Sequence, residues 1–146
     1  MRINQLRAVV LATGLFSGLL AFPFTAPAAS VDYRLVPLEQ RLPISKEVLL
    51  TVRLLHAPAS TPVHGAVIFR TRLDMSPEGM NDMVAPLTPV GADEPATWRY
   101  TTRLTMAGDW AVTVQAKVPG ETETVRASAI ITGVEQTGSA SRTHRH

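Results

Sequence analysis

Apolar positions fall into two regimes along this chain. From Ala8 to Phe24 they form a charge-free run, whereas beyond Ser30 most of them alternate with polar residues at a period of two. The second regime predicts strands. Val48, Leu50, Val52 and Leu54 alternate with Leu49, Thr51, Arg53 and Leu55, a strand with one face wholly buried. Val67, Phe69, Thr71 and Leu73 alternate with Ala66, Ile68, Arg70 and Arg72, so the outer face of that strand is expected to turn charged toward its end. Trp98, Tyr100, Thr102 and Leu104 oppose Arg99, Thr101 and Arg103, the clearest half-buried pattern in the chain. Trp110, Val112, Val114, Ala116 and Val118 oppose Ala111, Thr113, Gln115 and Lys117. Val125, Ala127, Ala129 and Ile131 oppose Thr124, Arg126, Ser128 and Ile130, and a shorter strand at Tyr33 to Leu38 opens the set.

Turn-forming residues separate these runs: Pro58 to Pro62, Ser76-Pro77-Glu78-Gly79, Gly91 to Pro95, Ala107-Gly108-Asp109 and Pro119-Gly120-Glu121. No long segment keeps a helical period, which argues against alternating βαβ units. The expected fold is all-β, an immunoglobulin-like antiparallel β-sandwich of about seven strands. Trp98 and Trp110 are its expected core anchors.

The first regime reads as a leader. Arg2 and Arg7 form a basic start, the apolar run follows, and Thr25-Ala26-Pro27-Ala28 ends in an A-x-A site. Residues 1–28 are therefore predicted to be a signal peptide cut after Ala28, with the periplasm as destination. A membrane anchor is the alternative, but a spanning helix needs about 20 apolar residues, and this run is interrupted by Gly14, Gly18 and Pro23. The sandwich domain is assigned to residues 29–133. Residues 134–146 are small and polar and are expected to be a disordered tail.

Composition narrows the chemistry. The chain has 14 Lys and Arg against 12 Asp and Glu, and loss of Arg2 and Arg7 would leave 12 against 12. A balanced domain lacks the excess of cations that phosphate backbones require, so nucleic acid is not an expected partner. The absence of cysteine excludes disulfides, thiolate metal sites and a cysteine nucleophile. No Gly-x-Ser-x-Gly, His-Glu-x-x-His or P-loop is present, and the sequence is read as non-enzymatic. The neighbouring carboxylates Asp93 and Glu94, and Glu121 and Glu123, fall at turns and exposed positions.

The distinctive segment is Arg72-Leu73-Asp74-Met75-Ser76-Pro77-Glu78-Gly79-Met80-Asn81-Asp82-Met83, which holds three of the five methionines. Pro77 and Gly79 suit positions i+1 and i+3 of a type I turn, a reversal that returns the chain from Met75 toward Met80. Met80 and Met83 share a face if one helical turn follows. Thioethers select Cu(I) over hard cations, and Met106, in the corner before Trp110, is the preferred fourth ligand. The expected metal set is Met75, Met80, Met83 and Met106. Packing or contact with a partner is the competing reading of the same methionines.

Other donors are weaker. His64 is expected at the far end of its strand from Met75, and His56 with His64 would form a separate imidazole pair. Asp74, Glu78 and Asp82 offer oxygens without EF-hand spacing. His144 and His146 are a flexible two-ligand pair.

Four stretches carry a family resemblance: His64-Gly65-Ala66, Asp74 to Met80, Leu104-Thr105-Met106-Ala107-Gly108-Asp109-Trp110, and Ala116 to Glu121. Together they make residues 45 to 132 resemble the YtkA-like group, related to FixH. The resemblance implies a small exported or membrane-tethered β-sandwich associated with heavy-metal efflux or copper handling. In the FixH branch it implies assembly of a copper-containing membrane oxidase. The expected cofactor is thus copper, as Cu(I), and the expected partners are efflux components or oxidase assembly factors.

Overall fold

The computed structural model describes residues 32–91 and 94–137. The predicted leader, Asp93, His144 and His146 lie outside the described residues. Ten strands follow in order: β1 (Tyr33–Pro37), β2 (Arg41–Pro43), β3 (Ser45–His56), β4 (Thr61–Pro62), β5 (Val67–Met75), β6 (Met80–Ala85), β7 (Leu87–Gly91), β8 (Thr97–Leu104), β9 (Gly108–Lys117) and β10 (Val125–Val134). A 3-10 turn, Ser76–Glu78, joins β5 to β6.

Two sheets face each other across one core. The first has the order β1-β3-β8-β7, with β4 paired to β3, and the second has the order β2-β10-β9-β5-β6. This is the immunoglobulin-like arrangement, with the opening strand divided between the sheets. Its first part, β1, pairs with β3, and its second part, β2, pairs with β10. The β2–β10 pairing is parallel, while every other strand pair is antiparallel.

The long strands follow their hydrophobic alternation because one face of each must leave water. Val48, Leu50, Val52 and Leu54 of β3 are buried against Trp110, Val112, Val114 and Ala116 of β9 in a single apolar cluster. Trp110 is a core side chain, whereas Trp98 is half-buried and packs against the cluster from β8. The strand count exceeds seven because β2, β4, β6 and β7 are short or mostly exposed. A strand at a sheet edge has no need of a regular apolar face, so its period disappears from the sequence.

β5 departs from the expected alternation. Ile68 pairs with Ala116 and Arg70 with Gln115, so Phe69 is an extra residue in a β-bulge. The bulge reverses the faces. Before it, Ala66 and Ile68 pack on the core; after it, Leu73 is buried and Arg70 and Arg72 are outside. Val67 and Phe69, expected inside, are instead 63% and 54% exposed. The cause is a conflict in composition: a regular strand would place Ile68, Arg70 and Arg72 on one face, and only a bulge buries the first while solvating the other two.

Candidate functional site at the methionine rim

The turn between β5 and β6 and the corner between β8 and β9 lie at the same end of the sandwich. The first begins with local chemistry. Asp74 accepts a hydrogen bond through Oδ1 from the Ser76 N–H at 3.0 Å, an Asx-type contact that starts the reversal. Pro77 sits within the 3-10 turn, Gly79 takes the left-handed conformation at φ 74°, and the Gly79 N–H donates to the Ser76 carbonyl at 3.0 Å. The Arg72 guanidinium pairs with Asp74 Oδ2 and donates from Nη2 to the Asn81 carbonyl at 2.7 Å.

Asp74 is 7% exposed. Burial pushes its carboxyl pKa upward, but the Ser76 and Arg72 hydrogen bonds and the Arg72 charge outweigh that effect and hold it below the ordinary value. It remains an ion at the edge of the core.

The corner docks onto this turn. Glu78 Oε1 accepts the Asp109 N–H at 2.9 Å, and Asp109 Oδ1 accepts the Thr132 hydroxyl at 2.7 Å. The Trp110 indole N–H donates to the Met106 carbonyl at 3.2 Å. Gly108 has φ 125°, and a Cβ there would meet Glu78 Oε1 at 3.0 Å and Met75 Cε at 3.1 Å. Close approach of the two segments therefore depends on the missing side chain.

The four methionines occupy three kinds of position. Met75 is 0% exposed, a full member of the core, with its methyl group against Gly108. Met80 lies directly across from Met75 in the β5–β6 register. Met83 falls in the irregular stretch between the pairs Met75↔Met80 and Asp74↔Val84. Met106 lies in the β8–β9 corner, and Met80, Met83 and Met106 are each 37% exposed. The conditional helical turn after Gly79 does not form: residues 80–85 are strand, so a three-residue spacing no longer selects one face. Register, rather than helical spacing, brings Met75 and Met80 together.

The alternative donors are elsewhere or already engaged. His56 pairs with Tyr33 in the β1–β3 register at the end of the sandwich opposite Ser45 and Leu104, and its ring stands edge-on to Tyr33 at 5.3 Å. Among the described residues no three or more His, Asp or Glu side chains gather into a group that could hold a metal. Asp74 and Glu78 instead serve the turn itself. Their fastening role escaped sequence analysis, although the Asp-x-Ser-Pro order carried an Asx-turn signal.

Comparison with known proteins bears on the whole of this rim. The sequence model of the YtkA-like family matches residues 25–115, more than half of the chain. The chain belongs to the YtkA-like family. The match takes in β1 to β8 and most of β9, including all four rim methionines. It starts earlier than the resemblance read from the sequence and stops before β10. No functionally curated protein matches this YtkA-like chain. Among solved structures, the ZirS C-terminal domain is similar over 92% of this chain and 87% of that one, at 9% identity and a TM-score of 0.42. A likeness so remote carries no functional argument.

Proposed function

We propose that this YtkA-like domain is an exported accessory protein that holds a soft metal ion, Cu(I), at its methionine rim and serves metal efflux or homeostasis. The observation carrying this reading is the pairing of Met75 with Met80 at the same end of the sandwich as Met106. Thioethers are the only soft side-chain donors the chain possesses, and they bind Cu(I) in preference to hard cations. Met80, Met83 and Met106 supply the accessible sulfur atoms, and Met75 supports them from the core. No substrate bond is made or broken in this role; the chemistry is ligand exchange, with efflux components or an oxidase assembly system as recipient. The leader directs the domain to the periplasm.

A second reading is favoured by the full burial of Met75. If that sulfur serves packing alone, Met80, Met83, Val84 and Met106 form an adaptable apolar contact surface for an efflux adaptor or membrane complex. Anaerobic titration of the mature protein against a chromophoric Cu(I) chelator separates the two. The metal reading expects uptake of about one equivalent, lost in the Met80→Leu/Met83→Leu double variant, because leucine keeps the apolar volume and removes the sulfur. Identical titrations of wild type and double variant would overturn it in favour of the contact surface.

A further inference from the structure

We infer that the outer face of the β5–β9–β10 sheet binds a small dianionic oxyanion. The site lies away from the methionines and is independent of them. Gln115, near the end of β9, has Arg126 of β10 as its partner on one side and Arg70 of β5 on the other. Two residues along β9, Thr113 lies between Ser128 and Arg72. A concavity of about 310 Å³ is lined by Arg70, Thr71, Arg72, Thr113, Gln115 and Arg126. Three guanidinium-bearing residues line it, and no carboxylate does.

The charge balance sets the ligand class. Arg72 is offset by Asp74, whereas Arg70 and Arg126 have no ion-pair partner among the described residues. Two like charges held on adjacent sides of one glutamine repel each other, and a ligand carrying two negative charges relieves that repulsion. Guanidinium forks match the paired oxygens of phosphate and carboxylate groups, and the Gln115 amide supplies a further donor, while the Thr113 hydroxyl is shared with that of Ser128 at 3.0 Å. The phosphate dianion and short dicarboxylates share this chemistry. The bulge at Phe69 lets Ile68 stay inside while Arg70 and Arg72 lie on the face that carries Arg126.

Titration calorimetry of the mature protein at fixed ionic strength, with inorganic phosphate, succinate and chloride, tests the assignment. Saturable heat with phosphate or succinate, absent with chloride, is expected; whichever of the two binds more tightly identifies the oxyanion type. Arg70→Gln and Arg126→Gln should each weaken binding by about tenfold, the loss of one charge-assisted interaction. Arg103→Gln, an equal change of net charge at an exposed position of β8 in the other sheet, should leave binding unchanged within about twofold. Equal weakening by Arg103→Gln, or no saturable binding of either dianion, overturns the proposal. Phosphate-induced shifts of the Arg70 and Arg126 side-chain NMR signals give a readout in the wild-type protein that needs no variant, and unmoved signals count equally against it.

Discussion

At the methionine end, two chain reversals are fastened to each other by Asp74, Glu78 and Asp109 and by a glycine that lets Met75 and Glu78 touch backbone. At the opposite end, contacts between side chains from separate strands and loops hold the sandwich together: the Tyr33 hydroxyl donates to Glu121 at 2.7 Å, His56 meets the Tyr33 ring, and Arg53 pairs with Glu94 at 3.0 Å. The Arg53–Glu94 pair is well exposed, and such pairs contribute about 0–1 kcal/mol. The methionine end is therefore fastened by carboxylates that accept backbone N–H groups, whereas the other end adds contacts between side chains to backbone bonds such as that from the Val63 N–H to the Leu54 carbonyl at 3.0 Å. The methionine turn is thus mounted on a corner fastened by Glu78 and Asp109, which keeps Met80 and Met106 at one end of the sandwich.

The comparison breaks most visibly at Met75. Met75→Ala should cost about 2–5 kcal/mol in urea unfolding, because it empties a fully enclosed site, while Met75→Leu should cost less than about 1.5 kcal/mol. An equal cost for both would mean that the sulfur, and not the packed volume, matters for stability. Next comes Gly108→Ala, expected to cost about 1–3 kcal/mol by strain at positive φ and contact with Glu78 and Met75. A near-neutral result in the same assay would show the turn and corner to be loosely joined.

The smallest effects sharpen the contrast through pH. The lowered carboxyl pKa of Asp74 adds stability at pH above its ordinary value of 3.8, and this is lost as pH falls through the native value. At the other end, burial first, then the hydrogen bond to Glu121 and its charge, raise the Tyr33 phenol from 10.0 to about 12. Its contribution is complete below pH 10 and is lost as pH rises toward about 12. Thermal melts should show Asp74→Asn flattening the acid limb alone and Tyr33→Phe reducing the alkaline limb alone. Tyr100, pushed to about 12 by burial in the core, retains the remainder of the alkaline limb in the second variant.

How much of the site was legible follows from the range over which each signal acts. The reversal at Ser76 to Gly79 was readable because proline and glycine restrict the backbone within four residues. The place of Met106 beside that reversal followed from strand order, since alternate hairpin corners share an end. Burial of Met75 was not legible: a methionine at the end of a strand looks the same whether a facing sheet covers it or water does. The shared face of Met80 and Met83 was conditional on a helical turn, and the pairing with β5 that makes the segment a strand instead is a contact across the turn.

Alternation in β3, β8, β9 and β10 determined the all-β class by itself, because side chains two apart on a strand share a face and one face of each strand must be apolar. The phase of β5 was decided by the folded sheet. Ile68 and Arg70 make opposite demands for burial, and β9 accommodates both by leaving one residue unpaired between them. That inserted residue, Phe69, faces outward, and Ile68 enters the core while Arg70 and Arg72 share the outer surface with Arg126. No local propensity encodes such an outcome, because it depends on which strand lies alongside and on the register it holds.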